Sequence, residues 1–248
     1  MKNKKVLFVL TSTDQLGNTG YKTGAFLSEV THPYDEVTAA GYEVDMASPR
    51  GGKVPLDGVK MDDPINATWM NDEEFLDKIE NTICLSEVRA RDYCALFLAG
   101  GHGTMFDFPD NTFLQRITTD LWENNGVVAA VCHGSAGLVN VKLSNGEYLV
   151  SGHEMSCFTN AEEEAVGMEN AVPFLLESKL KERGANVSIG SKFSSHVVKS
   201  GRLVTGQNPA SAMGVGQSLV EVLDFIEQGR ELPAQNWCEW PEPSSPSH

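Results

Sequence analysis

Continuous apolar runs alternate with amphipathic stretches along most of the chain. Runs of small, β-branched and aromatic residues predict strands buried on both faces at residues 6–10, 93–99 and 127–131. Apolar residues that recur every three or four positions predict helices at 112–124 and 211–228. This alternation predicts an α/β fold in which a mostly parallel sheet carries helices on both faces.

Weaker patterns fill the segments between these elements. A helix capped by Asn71 or Asp72 is predicted to precede the strand at 93–99. Residues 17–29 contain three glycines and predict a loop, and Pro33 is predicted in the first turn of a helix that stops at Gly41. The remaining predictions are strands at 42–47, 148–150, 187–190 and 203–205, an irregular segment at 49–64, and a mainly helical segment at 161–184 that breaks near Pro173.

No linker or shift in composition divides the 248 residues. A chain of this length can form one large α/β domain, so a single domain is predicted over residues 1–232. Residues 233–248 are rich in proline and carry two tryptophans, which predicts a C-terminal tail.

The charge and the cysteine pattern exclude several classes of protein. The formal net charge of −15 argues against binding to nucleic acid or to an anionic membrane surface. The first apolar run is too short for a signal-peptide core, and no segment approaches the roughly 20 apolar residues that span a membrane. The five cysteines are irregularly spaced and include no Cys-x-x-Cys pair, which favours reduced thiols and a cytoplasmic location.

The strand predicted at 127–131 ends in Cys132-His133-Gly134, followed by further small residues that can open a helix. A side chain at such a strand-to-helix turn projects over the carboxyl edge of the sheet, which is the geometry of a nucleophile elbow. The backbone N–H groups of the turn and a helix N-terminus favour a thiolate and an adjacent oxyanion. Cys132 is therefore a candidate nucleophile; the alternative is a buried cysteine that only packs.

A second strand end carries unusual residues. The strand predicted at 93–99 is followed by Gly100-Gly101-His102-Gly103, and the carboxyl ends of parallel strands are where ligands bind. The N–H groups of these glycines are candidate oxyanion donors, although a plain tight turn is also compatible with them. The segment lacks the glycine-lysine motif of a phosphate loop and the Gly-x-Gly-x-x-Gly pattern, so a nucleotide site is not predicted.

A nucleophilic thiol needs a partner that lowers its pKa or accepts its proton. His133 is the nearest candidate in sequence, and an imidazole in that role is oriented by a carboxylate. Glu162, Glu163 and Glu164 are candidates for that carboxylate. Such a triplet is also typical of a solvated helix face.

Three segments taken together resemble the ThiJ/PfpI superfamily, which has the class I glutamine amidotransferase-like fold. They are the Cys-His-Gly turn at 132–134, the Ala-Gly-Gly-His-Gly-Thr run at 99–104, and residues 22–33 with Glu29 three positions before His32-Pro33. Residues 105–109 and 201–211 extend the resemblance over nearly the whole chain. Within the superfamily, the chain is most similar to the heat-shock chaperone and glutathione-independent glyoxalase (glyoxalase III) branch.

The resemblance implies a flavodoxin-like three-layer sandwich with Cys132 at the elbow. It implies that Glu29 contacts the sulfur and moves a proton during turnover, which needs a raised carboxyl pKa. It further implies that His133 and Glu163 complete a triad, with Glu162 and Glu164 as alternatives for the acid. The implied oxyanion and substrate-binding residues are Gly100, Gly101, His102 and Gly134.

The leading functional hypothesis is a cofactor-free glyoxalase that converts methylglyoxal into D-lactate through a Cys132 hemithioacetal, with Glu29 as acid and base. A cysteine-dependent hydrolase (peptidase, amidase or deglycase) and a holdase chaperone or thiol stress sensor are the alternatives. The expected partners are a small reactive dicarbonyl, unfolded proteins and a second copy of the chain. Some chaperone relatives hold a metal with histidine and glutamate in an additional small domain. The chain lacks a matching spacing, so no metal or other cofactor is predicted.

Overall fold

The computed structural model describes residues 4–233, and the predicted tail lies outside them except for Pro233. Among the described residues, no helix has the length and apolar character that crossing a membrane requires. The strands are β1 Lys5–Val9, β2 Ala25–Phe26, β3 Glu43–Ser48, β4 Leu56–Asp57, β5 Ile83–Cys84, β6 Ala95–Leu98, β7 Val127–Val131, β8 Glu154–Met155, β9 Asn186–Val187, β10 Val197–Ser200 and β11 Leu203–Gly206. The α-helices are α1 Leu27–Ala39, α2 Pro64–Trp69, α3 Glu73–Glu80, α4 Thr104–Asp107, α5 Thr112–Glu123, α6 Asn160–Ala165, α7 Leu176–Glu182 and α8 Ala212–Glu227.

A seven-stranded sheet forms the centre of the fold, in the order β10-β11-β7-β6-β1-β3-β5. All neighbouring pairs are parallel except the edge pair β10–β11, so the predicted mostly parallel sheet is confirmed. In the register of β6 and β7, Leu98 lies opposite Ala130. The two loops that follow these strands therefore leave the sheet side by side, as the sequence predicted.

Alternate residues of the strands face two separate cores. In β1, Val6 and Phe8 pack on one side with α1, α3 and α8, and Leu7 and Val9 pack on the other with α5 and α7. The central strands are apolar on both faces because both faces are covered. This arrangement confirms the predicted three layers.

The start of α1 differs from the prediction. The helix begins at Leu27, so Pro33 lies in its interior rather than in its first turn, and Glu29 lies in that first turn. The apolar stripe of Leu27, Val30, Tyr34 and Val37 is buried, and its packing outweighs the loss of one hydrogen bond at proline.

Three further predictions were wrong in detail. The strand predicted at 187–190 is shorter and lies earlier, since β9 covers Asn186–Val187. Residues 148–150 form no strand, since only an isolated bridge pairs Tyr148 with Lys142. The segment predicted as mainly helical at 161–184 contains two short helices, α6 and α7, separated by residues 166–175. Gly167, which has a φ of 70°, and Pro173 lie in that interval and end the helical pattern.

Candidate active site

The predicted elbow is present at the end of β7. Cys132 follows the strand directly and has a φ of 57°, in the left-handed region that residues with a side chain rarely adopt. The chain then continues as the 3-10 helix Cys132–Leu138. A Cβ at Gly134 would lie 2.3 Å from the carbonyl oxygen of Leu98, so the close approach of this turn to β6 requires glycine. The turn places Cys132 at the carboxyl edge of the sheet.

The glycines after β6 allow two other segments to approach the cysteine. A Cβ at Gly100 would lie 2.7 Å from Oε2 of Glu29 and 3.0 Å from Cβ of Cys132. Gly101 has a φ of 115°, and a Cβ there would lie 2.0 Å from the carbonyl oxygen of Gly24. The two strand ends and α1 therefore meet at one point. That the N–H groups here bind an oxyanion stays a prediction.

Glu29 is a buried acid whose carboxyl oxygens lack a clear hydrogen-bond partner among the described residues. Its side chain is fully buried, and neither carboxyl oxygen has a partner with full hydrogen-bond geometry among the described residues. Burial raises the pKa of Glu29 well above its usual range, the neighbouring Cys132 side chain opposes this, and the charge of Asp57 adds to it. Burial therefore favours the protonated form of Glu29, as its predicted role requires.

The thiol of Cys132 is also removed from water, with 3% of the residue exposed. Burial raises the pKa of Cys132 well above its usual range, and the charge of an ionised Glu29 would raise it further. The backbone N–H of His133 lowers this pKa, as expected at the turn, but burial outweighs it. The thiol therefore needs a base that accepts its proton when the sulfur attacks.

His133 and Glu163 connect the sulfur of Cys132 to a second histidine, His102. The Sγ of Cys132 lies 3.4 Å from Nδ1 of His133, and Nε2 of His133 lies 2.6 Å from Oε2 of Glu163. The other carboxylate oxygen, Oε1, lies 2.6 Å from Nε2 of His102. Glu163 thus joins two imidazoles whose ring centroids are 4.0 Å apart.

The charge state of Glu163 decides the tautomer of His133. Although burial opposes ionisation, the hydrogen bonds from His102 and His133 lower the pKa of Glu163 to about 2. An ionised carboxylate only accepts, so both histidines donate through Nε2–H. Burial, reinforced by the charge of His102, lowers the pKa of His133 to about 4. A neutral His133 then presents the unprotonated Nδ1 to the sulfur, which makes it a base for the thiol.

Of the three candidate carboxylates on α6, the structure places Glu163 against the histidines. Glu162 is buried as well, but its oxygens accept hydrogen bonds from Phe193 and Asn208 and, at the start of its own helix, from Thr159. Glu164 is exposed. Adjacent residues of a helix point about 100° apart, so three successive glutamates cannot all face the same site.

The sequence and fold comparisons are consistent with this geometry. A model of the DJ-1/PfpI family matches residues 22–222. The chain belongs to the DJ-1/PfpI family. The resemblance to the ThiJ/PfpI superfamily predicted from the three sequence segments is therefore confirmed.

Members of this family with similar sequences include two named glyoxalases. The glutathione-independent glyoxalase HSP31 of Saccharomyces cerevisiae is 34% identical over 241 residues, which cover 90% of this chain and 99% of the relative. Glyoxalase 3 of Candida albicans is 31% identical and covers 89% of this chain and 98% of its own length.

Solved structures of the family superpose closely. The structure of glyoxalase III from Candida albicans has a TM-score of 0.81 and 32% identity, covering 88% of this chain and 96% of that one. Rapid Encystment Protein 24 KDa of Francisella tularensis has a TM-score of 0.86 and 39% identity, covering 88% of this chain and 98% of that one.

Sequence reasoning missed two residues that shape the site. The ring of Phe158 lies 4.3 Å from that of His133, between centroids, and its backbone N–H donates to the carbonyl of Cys132. The hydroxyl of Thr104 lies 2.8 Å from the carbonyl oxygens of both Gly101 and His133, and so ties the two strand-end loops together. Phe158 could have been found from the sequence, because the next residue, Thr159, begins a capping box that marks the start of a helix.

His102, His133 and Glu163 also have the donor types that bind a divalent metal. Among the described residues, these three bring their ligand atoms within 4.8 Å of one another. Both Nε2 atoms already donate to Glu163, so these ligand atoms are engaged in hydrogen bonds. His32, His153 and His196 lie apart from them, against Asp63, Ser200 and Ser188 respectively. The absence of a metal stays a prediction.

Proposed function

We propose that the protein is a glutathione-independent glyoxalase that converts methylglyoxal and water into D-lactate. One observation carries the proposal: the carboxyl group of Glu29 is fully buried, has no partner with full hydrogen-bond geometry, and lies beside the candidate nucleophile Cys132. Its burial favours the protonated form. An isomerisation that moves hydrogen between adjacent carbons needs such an acid and base next to a soft nucleophile. The names of the similar relatives support the same reaction.

The reaction begins with attack of the Cys132 sulfur on the aldehyde carbon. The thiol proton passes to Nδ1 of His133, and Glu29 gives its proton to the aldehyde oxygen, which yields a neutral hemithioacetal. Glu163 stabilises the imidazolium that forms for this step. Glu29 is then ionised and ready to act as a base.

Glu29 next removes the hydrogen of the former aldehyde carbon as a proton, and His133 returns its proton to the ketone oxygen. The resulting enediol takes a proton from Glu29 at its second carbon, and its first carbon becomes a thioester as the hydroxyl proton passes to His133. Water then attacks the thioester. Glu29 accepts the water proton, His133 protonates the sulfur, and D-lactate leaves. One carbon is oxidised and its neighbour reduced, so no external oxidant or reductant is needed.

The test is D-lactate formation from methylglyoxal, without glutathione or added metal, by the wild type, Cys132→Ala and Glu29→Gln. Loss of activity in both variants, with unchanged circular dichroism, is the expected result. Full activity of Cys132→Ala would contradict the mechanism. Glu164→Gln, an exposed position on the same helix as Glu163, is the matched control.

One specific observation favours the alternative that the protein is a hydrolase. Cleavage of an amide needs a general acid for the leaving amine, and the pair of His133 and Glu163 that can supply it forms here at 2.6 Å. Release of amine from peptide, amide or glycated substrates by wild type but not by Cys132→Ala would support it. Binding of unfolded proteins, a homodimer and a cytoplasmic location stay predictions.

A further inference from the structure

Glu162 is a buried carboxylate that the proposed mechanism does not use. Its Oε1 accepts hydrogen bonds from the backbone N–H of Phe193 at 2.8 Å, from Nδ2 of Asn208 at 2.8 Å and from Nε2 of Gln207 at 3.1 Å. Its Oε2 accepts from the backbone N–H of Thr159 at 3.0 Å. One side chain therefore ties together the start of α6, the segment at 190–194 and the residues after β11.

The residue held by Glu162 has an unusual backbone. Among residues 4–233, three residues other than glycine have a positive φ: Asn125, Cys132 and Phe193. Asn125 follows the end of α5, where the left-handed conformation is common. Cys132 is the elbow. Phe193, with a φ of 57°, is neither, and a left-handed conformation is costly for a bulky side chain. Strained residues of this kind concentrate at functional sites, where the surrounding structure holds them.

The Phe193 ring is the outermost in a row of rings that starts at the nucleophile. His133, which contacts Cys132, lies 4.3 Å from Phe158 between ring centroids, and Phe158 lies 6.4 Å from Phe193. Phe158 is 5% exposed and Phe193 is 48% exposed. The row therefore leads from the buried imidazole to an aromatic face that is open to solvent.

We propose that Phe158 and Phe193 form an apolar subsite for the substituent of a 2-oxoaldehyde, and that Glu162 is the positioning residue that holds Phe193 there. The subsite rests on the proposed function, since it takes the group attached to the carbonyl that neighbours the attacked aldehyde. The methyl group of methylglyoxal offers little surface to such a subsite. An aryl substituent can stack on the exposed ring, so the substrate class extends to aryl-substituted 2-oxoaldehydes.

The experiment compares kcat and KM for methylglyoxal and phenylglyoxal, measured as D-lactate and as mandelate. For Phe193→Ala, kcat/KM for phenylglyoxal falls by roughly tenfold, and kcat/KM for methylglyoxal stays within about twofold, because only the larger substituent contacts the ring. Ile189→Ala is the control, since it removes another exposed apolar side chain, four positions before Phe193, and leaves both substrates unaffected.

Glu162 is tested by a loss and a rescue. In Glu162→Ala the anchor of Phe193 is lost, and KM for phenylglyoxal rises while kcat for methylglyoxal changes little. Glu162→Gln keeps an oxygen that accepts from Phe193, Gln207 and Asn208. Its NH2 group no longer accepts from the backbone N–H of Thr159 but can donate to the hydroxyl of Thr159, so most of the rise in KM is reversed. If Glu162→Ala does not fold, the Phe193→Ala comparison still decides the subsite.

The outcomes separate the two proposals. If the wild type converts both substrates and Phe193→Ala leaves their ratio of kcat/KM unchanged, the subsite is overturned and the glyoxalase proposal stands. If the wild type converts neither substrate, both are overturned.

Discussion

Glu29 and Cys132 are buried next to each other against Gly100, with 0% and 3% of their surfaces exposed. Two negative charges cannot share so dry a space at low cost. The pair therefore holds at most one, and burial raises the pKa of both groups. A site built in this way keeps a proton next to the sulfur and releases it only when a substrate accepts it.

The burial of Glu29 predicts a pH-dependent cost in stability. Its pKa is raised in the folded state, so between the unfolded pKa and the folded pKa the folded state holds a proton that the unfolded state has lost. Stability therefore falls as the pH rises through this window. Glu29→Gln removes the effect, so the variant melts at a higher temperature than the wild type at neutral pH. Each kcal/mol recovered raises the melting temperature by about 2–4 °C.

The measurement is thermal unfolding of the wild type and Glu29→Gln at neutral pH and again below the unfolded carboxyl pKa of about 4.3. The gap between the two proteins closes at the lower pH, where Glu29 is protonated in both states. Glu164→Gln, at an exposed position, shows no such gap. A Glu29→Gln protein less stable than wild type at neutral pH would mean that the carboxyl is ionised and paired.

The parts of this site that could be predicted are those set by local sequence. The apolar run at 127–131 and the small residues after Cys132 identify a buried strand and its turn, and β7 has these same bounds. The local pattern could not choose among the three glutamates, because the choice depends on how α6 is rotated against the two strand-end loops; only the family resemblance pointed to Glu163. His102 and Glu163 are 61 positions apart in the sequence, so no local pattern predicts their hydrogen bond.

The position of Glu29 also could not be predicted from local sequence. Residues 17–29 read as a loop because glycine is frequent there, but tertiary packing extends α1 to Leu27. Only that extension places Glu29 in the first turn of a helix, directed at Gly100 and Cys132. Packing of the apolar stripe, which is a long-range effect, thus decides where the candidate acid lies.

Replacing Glu163 by glutamine tests the tautomer of His133. A glutamine presents one oxygen and one NH2 group, so it can accept from only one of the two Nε2–H groups and confronts the other with a donor. When the NH2 group faces His133, the proton moves to Nδ1 and the base for the thiol is lost. Glu163→Gln therefore loses about 10²–10⁴-fold in kcat. Nitrogen chemical shifts of His133 check the tautomer, and an unchanged spectrum with full activity would contradict it.

His102 sets the acid limit of activity through its charge. The charge of His102 is the second cause, after burial, that lowers the pKa of His133 to about 4. His133 acts as a base only when neutral, so activity is lost as the pH falls through that pKa. In His102→Phe the charge is absent, the pKa of His133 rises, and the acid limb of the kcat profile moves to higher pH. A limb that stays in place or moves to lower pH would mean that His102 does not act through His133.

Gly134 tests whether the elbow depends on close approach to β6. An alanine Cβ there would lie 2.3 Å from the carbonyl oxygen of Leu98, which belongs to a central strand and cannot move aside cheaply. Gly134→Ala is therefore destabilised by about 1–3 kcal/mol, and because the clash displaces Cys132 from Glu29, activity falls further than stability does. Gly214→Ala is the control, since its Cβ would meet side-chain atoms rather than backbone, a methyl group of Val197 at 3.0 Å and Oγ of Ser195 at 4.0 Å, within a helix, where alanine is favoured. Chemical denaturation and D-lactate formation measure the two effects, and a Gly134→Ala protein as stable and active as Gly214→Ala would show that the turn tolerates a wider separation from β6.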